Sequence, residues 1–279
     1  MKAISFVDAK PQVVETTKPG VVEAVGANVR DFETGMQVFG NLPYASSTTQ
    51  GSLSEHITVK WDALAVKPRN INMDLAAAAT TESLTDLQSL RDIGKLPVQG
   101  GRVLINGAGG QVGSCAVQIA VALGSEVTAI VSTKDIEKVT KLGATTVIDR
   151  KKTPNVMGQL KGGEFDVIFD TPGKLSARKT TTKYLKRGGV YVNTSPDDML
   201  DFLLGKLFTL FSSKSVKMIM VESKKADLER GIGEWISNSD LKIDIDSVHD
   251  IQDCASATMS RQKDPAKHGR VVVKVKGGF

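Results

Sequence analysis

The sequence predicts an α/β protein, with a parallel sheet flanked by helices set between β-rich segments at the two ends of the chain. Three observations predict it. From Arg102 onward, short apolar runs alternate with helical stretches, the pattern of repeated βαβ units. A glycine-rich turn, Gly107–Gly113, joins the first of these strands to the helix after it. Before and after this array, short runs of β-branched and aromatic residues lie between turn formers.

The elements follow in chain order. Lys2–Val7, Gly20–Val25 and Gln37–Phe39 read as strands, punctuated by Pro19-Gly20 and by Asn41-Leu42-Pro43. Glu55–Lys60 and Ala63–Val66 read as two more. Apolar residues at Leu75, Ala76, Ala79, Leu84, Leu87 and Leu90 then recur at helical spacing, which predicts a helix over Asp74–Leu90. Val103-Leu104-Ile105 is a continuous apolar run, as a strand buried on both faces requires. Helices are expected over Val112–Leu123 and Asp135–Leu142, each stopped by a glycine, Gly124 and Gly143. Strands are expected at Val127–Val131, Thr146–Ile148, Val167–Phe169 and Val190–Val192, and further helices over Lys174–Leu185 and Ala226–Ile236. Arg270–Val275 returns to β character, which suggests that the tail rejoins the N-terminal β block. The expected division is an α/β domain over residues 84–221 and a β-rich domain made from 1–83 plus 222–279.

Composition narrows the function classes. The chain has 279 residues, of which 41% are hydrophobic and 24% charged, enough for a substantial core. The net charge of +5 is spread through mixed Lys-Asp and Lys-Glu stretches, and the longest basic clusters are pairs such as Lys151-Lys152. That argues for a solvated surface rather than a nucleic-acid footprint, and it suits anionic small ligands. Cys115 and Cys254 are the two cysteines, too few for a disulfide framework, so a reducing, cytoplasmic setting is expected. His56, His249 and His268 are scattered and have no cysteine at ligand spacing, so no zinc site is expected. Met199–Phe211 is the longest apolar-biased stretch. Asp201, Gly205 and Lys206 interrupt it, and it is too short to span a bilayer.

The glycine turn carries the chemistry. A dinucleotide pyrophosphate needs a turn free of side chains, backbone N–H groups and the positive end of a helix. Gly107 supplies the tight turn, Gly110 the close approach of the phosphates and Gly113 the close packing of helix on strand. Gln111 and Val112 lie between them in the helix's first turn. Ala108 stands where the commonest fingerprint has its first glycine. The bare glycine spacing would also suit a flexible loop. Its place between a strand and a helix in a βαβ array is what favours dinucleotide binding.

The second strand decides which dinucleotide. NAD sites place an acid about 20 residues on, for the ribose 2′-hydroxyl. Here that strand ends in Ser132-Thr133-Lys134 without an acid, and Arg150 follows the third strand. Two hydroxyls and two cations suit a 2′-phosphate, so NADPH is expected. The alternative is that Ser132–Lys134 is only a helix cap with a solvated lysine.

Gly107–Ala120, taken with Gly-Val-Val-Glu-Ala-Val-Gly at Gly20–Gly26, resembles the zinc-free medium-chain dehydrogenase/reductases, most closely the zeta-crystallin-like quinone oxidoreductases. Gly51–Glu55, Phe169–Gly173, Gly188–Val192 and Gly269–Val273 extend the resemblance over nearly the whole chain from Gly20. It implies a Rossmann domain inserted in a split GroES-like β domain, with NADPH giving a hydride to a quinone or an activated alkene. It also implies a homodimer, or a tetramer. By position it puts Thr85 on the nicotinamide side, Asn193, Thr194 and Ser195 near the nicotinamide, and Thr171 beside the ribose-phosphate part. Read without the resemblance, Thr85 is a helix residue and Asn193–Ser195 a polar turn. One departure stands out. Thr16-Thr17-Lys18-Pro19 runs straight into Gly20, where the family has further chain carrying its Asn-Pro-x-Asp motif and the aromatic residues that wall the substrate site; either the β domain is truly shortened or this sequence omits that stretch.

No Ser-His-Asp set or paired carboxylates present themselves as catalytic, and Tyr44 and His56 carry no clear chemical role. A quinone needs little acid catalysis, because it is already electrophilic. The expected function is therefore an NADPH-dependent quinone reductase. An alkenal or enoyl reductase is the alternative within enzymes, and a non-catalytic NADP-binding, redox-responsive protein is the alternative outside them.

Overall fold

The computed structural model describes residues 19–42, 51–238, 240–253 and 269–275. The expected strand at Lys2–Val7, the junction at Thr16–Lys18, Tyr44, Cys254 and His268 lie outside these residues. The chain divides into two compact units, one formed by Met1–Leu84 with Val221–Phe279 and the other by Thr85–Met220.

In the first unit, β1 (Gly20–Val21), β2 (Gln37–Gly40) and β3 (Leu64–Val66) form an antiparallel sheet in that order. The expected first strand to Val25 shrinks to two residues, and Glu55–Lys60, expected as a strand, is irregular. His56 instead lies outward, its Nδ1 2.9 Å from exposed Glu23. Ile57 and Val59 alternate with polar residues as a strand would require, but among the described residues no strand pairs with this segment. Helix α1 (Met73–Leu87) begins after Asn72, whose Oδ1 accepts from the Leu75 N–H at 2.8 Å. It passes into a π turn over Gln88–Ile93.

The second unit is built on six parallel strands. They are β4 (Arg102–Asn106), β5 (Glu126–Val131), β6 (Thr146–Asp149), β7 (Phe165–Asp170), β8 (Leu185–Asn193) and β9 (Ser215–Met218), in the spatial order β6-β5-β4-β7-β8-β9. Between them run α2 (Gln111–Ala122), α3 (Ile136–Lys141), α4 (Ala177–Tyr184) and α5 (Met199–Phe208). This is the Rossmann order, and its direction reverses between β4 and β7. Val103, Leu104 and Ile105 are fully buried, because helices cover both faces of the central strand. On one side Leu104, Ile130, Ile168, Tyr191, Phe202 and Val216 meet in a single cluster.

The departures from the expected elements have local causes. Helix α4 starts three residues later than expected because Ser176 caps it, its Oγ accepting from the Lys179 N–H. Leu185, expected to end that helix, instead opens β8. The strand runs through Gly188, which takes a positive φ of 78° that lets the irregular pairing with β7 form. Helix α5 and strand β9 arise from the apolar stretch after Pro196, for which the periodicity predicted no element.

The chain then returns to the first unit through a π run over Asp227–Gly233, α6 (Glu234–Ser237), β10 (Ile245–Asp250) and β11 (Arg270–Lys274). Strands β10 and β11 pair in parallel as a separate two-stranded sheet. The tail meets α1 through ions, Arg270 with Glu82 and Lys274 with Asp74, rather than extending the β1–β3 sheet.

Candidate dinucleotide site

The C-terminal ends of β4, β7 and β8 lie side by side, with Asn106, Asp170 and Asn193 in register. Ligands of open α/β sheets bind at this edge, beside the reversal of strand order. The Gly107–Gly113 turn leaves β4 here. Its first residues are tied to the neighbouring strand, since the N–H groups of Gly107 and Ala108 both donate to the Ile130 carbonyl, at 3.1 and 3.2 Å. Gly107 has φ +78°, and a Cβ there would lie 2.6 Å from Thr171 Oγ1. A Cβ on Gly113 would overlap the Gly107 carbonyl oxygen and the Ala108 backbone. A Cβ on Gly109 would meet the buried Asp135 carboxylate at 2.5 Å. Gly110 differs, because its Cβ would find only the Gly107 oxygen at 3.4 Å and the residue is exposed. Three glycines of the turn therefore serve protein packing, and Gly110 leaves a free cradle.

Helix α2 starts from Gly110 without a side-chain cap. Its first N–H groups, at Gln111, Val112 and Gly113, have no carbonyl to reach within the helix, and the positive end of its dipole lies at the same place. Gln111 Nε2 is a buried donor with no hydrogen-bond partner. An anionic group over Gly110 would accept from the first N–H groups of α2.

The loops after β7 and β8 are joined to one another. Thr171 Oγ1 donates to the Asn106 carbonyl at 2.9 Å, and Thr194 Oγ1 to the Thr171 carbonyl at 2.7 Å. The Asp197 N–H donates to the Gly173 carbonyl at 3.1 Å. Gly173 packs so closely on Ser195, at φ +68°, that only glycine fits. Thr171, Asn193, Thr194 and Ser195 are thus brought together.

Beneath them lies a polar network that the sequence reading missed. Fully buried Asp170 accepts from Asn106 Nδ2 at 2.8 Å, from the Leu175 N–H at 2.8 Å and from the Tyr191 hydroxyl at 2.7 Å. The Tyr191 proton is engaged there, so its oxygen accepts from Asn193 Nδ2 at 3.1 Å. Burial, followed by the charge of Asp170, pushes the Tyr191 phenol well above its ordinary range, so it stays protonated. This chain of bonds fixes the amide of Asn193 and leaves its Oδ1 a buried acceptor without a partner. The signal was present as a polar residue ending each apolar run, Ile105-Asn106, Phe169-Asp170 and Val192-Asn193.

Ser132, Thr133, Lys134 and Arg150 gather at the ends of β5 and β6. The Arg150 guanidinium donates through Nε to Ser132 Oγ at 3.1 Å, and the Arg150 backbone N–H donates to the Val131 carbonyl. Ser132 makes no side-chain cap. Its hydroxyl keeps its proton and sits beside a cation. Thr133 is different, because its hydroxyl donates to Asp149 Oδ2 at 2.8 Å. Burial pushes the Asp149 carboxyl up. The bonds from Thr133 and from the Lys151 and Lys152 N–H groups, with the Lys152 charge, outweigh this and hold it below the usual range. The sequence reading found no acid at the end of β5 and overlooked this one at the end of β6.

Thr85 lies in α1. Its neighbour Asp86 is the more informative residue. It is completely buried, and neither oxygen has a partner of ordinary hydrogen-bond geometry. Burial raises its carboxyl well above the usual range, and the weak thiol donor of Cys115 on α2 pulls it only part of the way back. A raised value means that the folded chain holds a proton that the unfolded chain has released. The resulting stability is fully present below about pH 4 and is lost as pH rises through the folded value. Asp86→Asn should therefore raise stability at neutral pH and leave it little changed near pH 4. Urea unfolding of both proteins across that range checks this, and parallel pH profiles would remove Asp86 as the cause.

Among the described residues, no group of three or more His, Cys, Asp or Glu side chains could hold a metal ion, and no helix is long and apolar enough to cross a membrane.

Comparison with known proteins finds oxidoreductases similar in sequence and in fold. The family model described as "Zinc-binding dehydrogenase" matches residues 112–238. A mitochondrial NAD(P)H oxidoreductase of Bos taurus, RTN4IP1, is 38% identical over 179 residues, which is 62% of this chain and 44% of that protein. The chain thus spans less than half the length of that relative. The chloroplast envelope quinone oxidoreductase homolog of Arabidopsis thaliana is 27% identical over 272 residues, covering 95% of this chain and 80% of that protein. The solved quinone oxidoreductase of Coxiella burnetii has the same fold, with a TM-score of 0.78 at 21% identity, over 92% of this chain and 78% of that one.

Proposed function

We propose that the chain, which is similar to the medium-chain dehydrogenase/reductases of the quinone-oxidoreductase-like kind, is an NADPH-dependent reductase of quinones. The observation that carries the reading is the Gly110 cradle. An open glycine there begins α2, whose first N–H groups form a donor set that suits a pyrophosphate. In this reading Gly107, Gly110, Gln111, Val112 and Gly113 hold the pyrophosphate. Ser132, Lys134 and Arg150 surround the 2′-phosphate, with Thr133 in the same loop. Thr171, Asn193, Thr194 and Ser195 line the path to the nicotinamide, and Thr85 stands on its substrate side.

The nicotinamide supplies a hydride when bound. The chain's own residues orient and exclude water. Asn193 Oδ1, held by Tyr191 and Asp170, offers an acceptor for a cofactor N–H or O–H. An unpaired buried acceptor is costly, so it favours a ligand that supplies the missing donor. A quinone accepts a hydride without prior activation, and its oxygens take protons from water. The step therefore asks for no metal and no dedicated acid.

The test is turnover. The purified chain with NADPH and a reactive ortho-quinone should oxidise the cofactor, as followed at its nicotinamide absorbance. Tight NADPH binding with no turnover of any quinone or enal would overturn the enzyme reading in favour of a binding protein. Turnover of enals alone would move the substrate to conjugated alkenes.

A further inference from the structure

Tyr191 and Asn193 lie two residues apart at the end of β8, so their side chains stand on the same face of the sheet, beside Asp170 of β7. Asp170 and Tyr191 are completely buried, and Asn193 is 1% exposed. Chemistry fixes the direction of every bond among them. The Tyr191 hydroxyl has one proton, and burial keeps it there. Two groups stand ready to take that proton in a hydrogen bond, Asp170 Oδ2 at 2.7 Å and the Leu175 carbonyl at 3.3 Å. Both are acceptors, so whichever of them receives it, the phenol oxygen is left only to accept. Asn193 therefore presents Nδ2 to Tyr191, at 3.1 Å. A flipped amide would set one oxygen against another with no proton between them. Tyr191 thus decides which end of the Asn193 amide is left over, and that end is Oδ1, buried and without a partner.

The next step rests on the cofactor reading given above. With the pyrophosphate at β4 and the 2′-phosphate at the ends of β5 and β6, the nicotinamide half extends over β7 and β8. Strand β8 stands two strands from β4, a span of about 10 Å. The hydrogen-bond donors on that half are the ribose hydroxyls and the carboxamide N–H groups. The hydroxyls come first after the pyrophosphate, over β7, where Thr171 stands. The carboxamide is the donor farthest from the pyrophosphate, and it reaches β8. We infer that Tyr191 is a positioning residue, which turns the Asn193 side-chain oxygen to accept from the carboxamide N–H of the nicotinamide. Tyr191 acts on recognition of the ring without touching it, and Asp170 holds Tyr191 in place.

The 3-acetylpyridine analogue of NADPH tests this, because it differs only in carrying a methyl group where the carboxamide has its nitrogen. Both ligands are titrated against the full chain by calorimetry, with no turnover required. The native chain should bind NADPH about tenfold or more tightly than the analogue, as expected when a buried acceptor is left unpaired. Tyr191→Phe frees the amide to rotate and should cut that ratio by about threefold or more, chiefly by weakening NADPH. Asn193→Leu should bring the ratio near one. It leaves the Tyr191–Asp170 bond in place, so it reads the same ratio if Tyr191→Phe fails to fold. A merely structural role would weaken both ligands alike and leave the ratio unchanged. Equal affinity of the native chain for the two ligands overturns the inference and leaves the cofactor assignment standing, as does a ratio that the substitutions do not change. A native chain that does not bind NADPH overturns the proposed function, and this role with it.

Discussion

Gly113→Ala is expected to cost both folding stability and cofactor binding, whereas Gly110→Ala should cost binding alone. The two glycines are three residues apart in one turn, and their surroundings separate them. A methyl group on Gly113 overlaps the Gly107 carbonyl oxygen and the Ala108 backbone, which cannot rotate away as a side chain would. Helix α2 must then move off β4, at a cost of about 1–3 kcal/mol. The movement would also displace the N–H groups that the helix presents. At Gly110 the backbone has φ −72°, open to any residue, and the added Cβ meets only one atom, at 3.4 Å. Stability should stay within about 0.5 kcal/mol of the native value. The methyl group would occupy the place where the proposed pyrophosphate rests, and NADPH affinity should drop by about tenfold or more, equivalent to about 1.4 kcal/mol. Urea unfolding and fluorescence titration with NADPH measure the two effects separately. Unchanged NADPH affinity in a well-folded Gly110→Ala protein would remove the cradle from the site.

The second large effect is on the choice of cofactor. Arg150→Ala should weaken NADPH binding by about tenfold to a hundredfold, the range of a lost charge-assisted hydrogen bond, and leave NADH affinity nearly unchanged. Arg150 is bonded to Ser132, so one substitution removes a cation and releases the hydroxyl beside it. Lys134→Ala should act in the same direction. Asp149→Asn should act in the opposite one, because it removes the ionised carboxylate that engages Thr133. Equal affinity of the native chain for NADPH and NADH, or equal loss of both in Arg150→Ala, would refute a 2′-phosphate site at the ends of β5 and β6.

Much of the α/β unit was legible because its signals are local. A fully buried strand must be apolar throughout, so Val103–Ile105 and Val167–Phe169 announced themselves. Helix stops at Gly124 and Gly143 rest on positive φ values, 75° and 100°, that glycine adopts without cost. The elements that escaped depend on partners far away in sequence. Whether Glu55–Lys60 pairs depends on a neighbouring strand being present. Leu185 left a helix for a strand because β7 was there to receive it. Helix α5 has an apolar side that faces outward, so its pattern lacks the amphipathic period of a helix packed on a core.

The candidate site divides in the same way. The sequence by itself determined the glycine turn, the absence of an acid at the end of β5 and the cluster Ser132–Lys134. Each depends on the residue types within one short segment. Only the tertiary structure decided which of these groups remain free to meet a ligand. Thr133 spends its proton on Asp149, sixteen residues further along. Asn193 is aimed by Tyr191, and Tyr191 by Asp170, across two strands. The Asp86 carboxyl is raised because packing buries it and offers it only the weak thiol donor of Cys115. Hydrogen-bond partnership and burial are properties of packed neighbours, and packed neighbours are what a linear pattern does not specify.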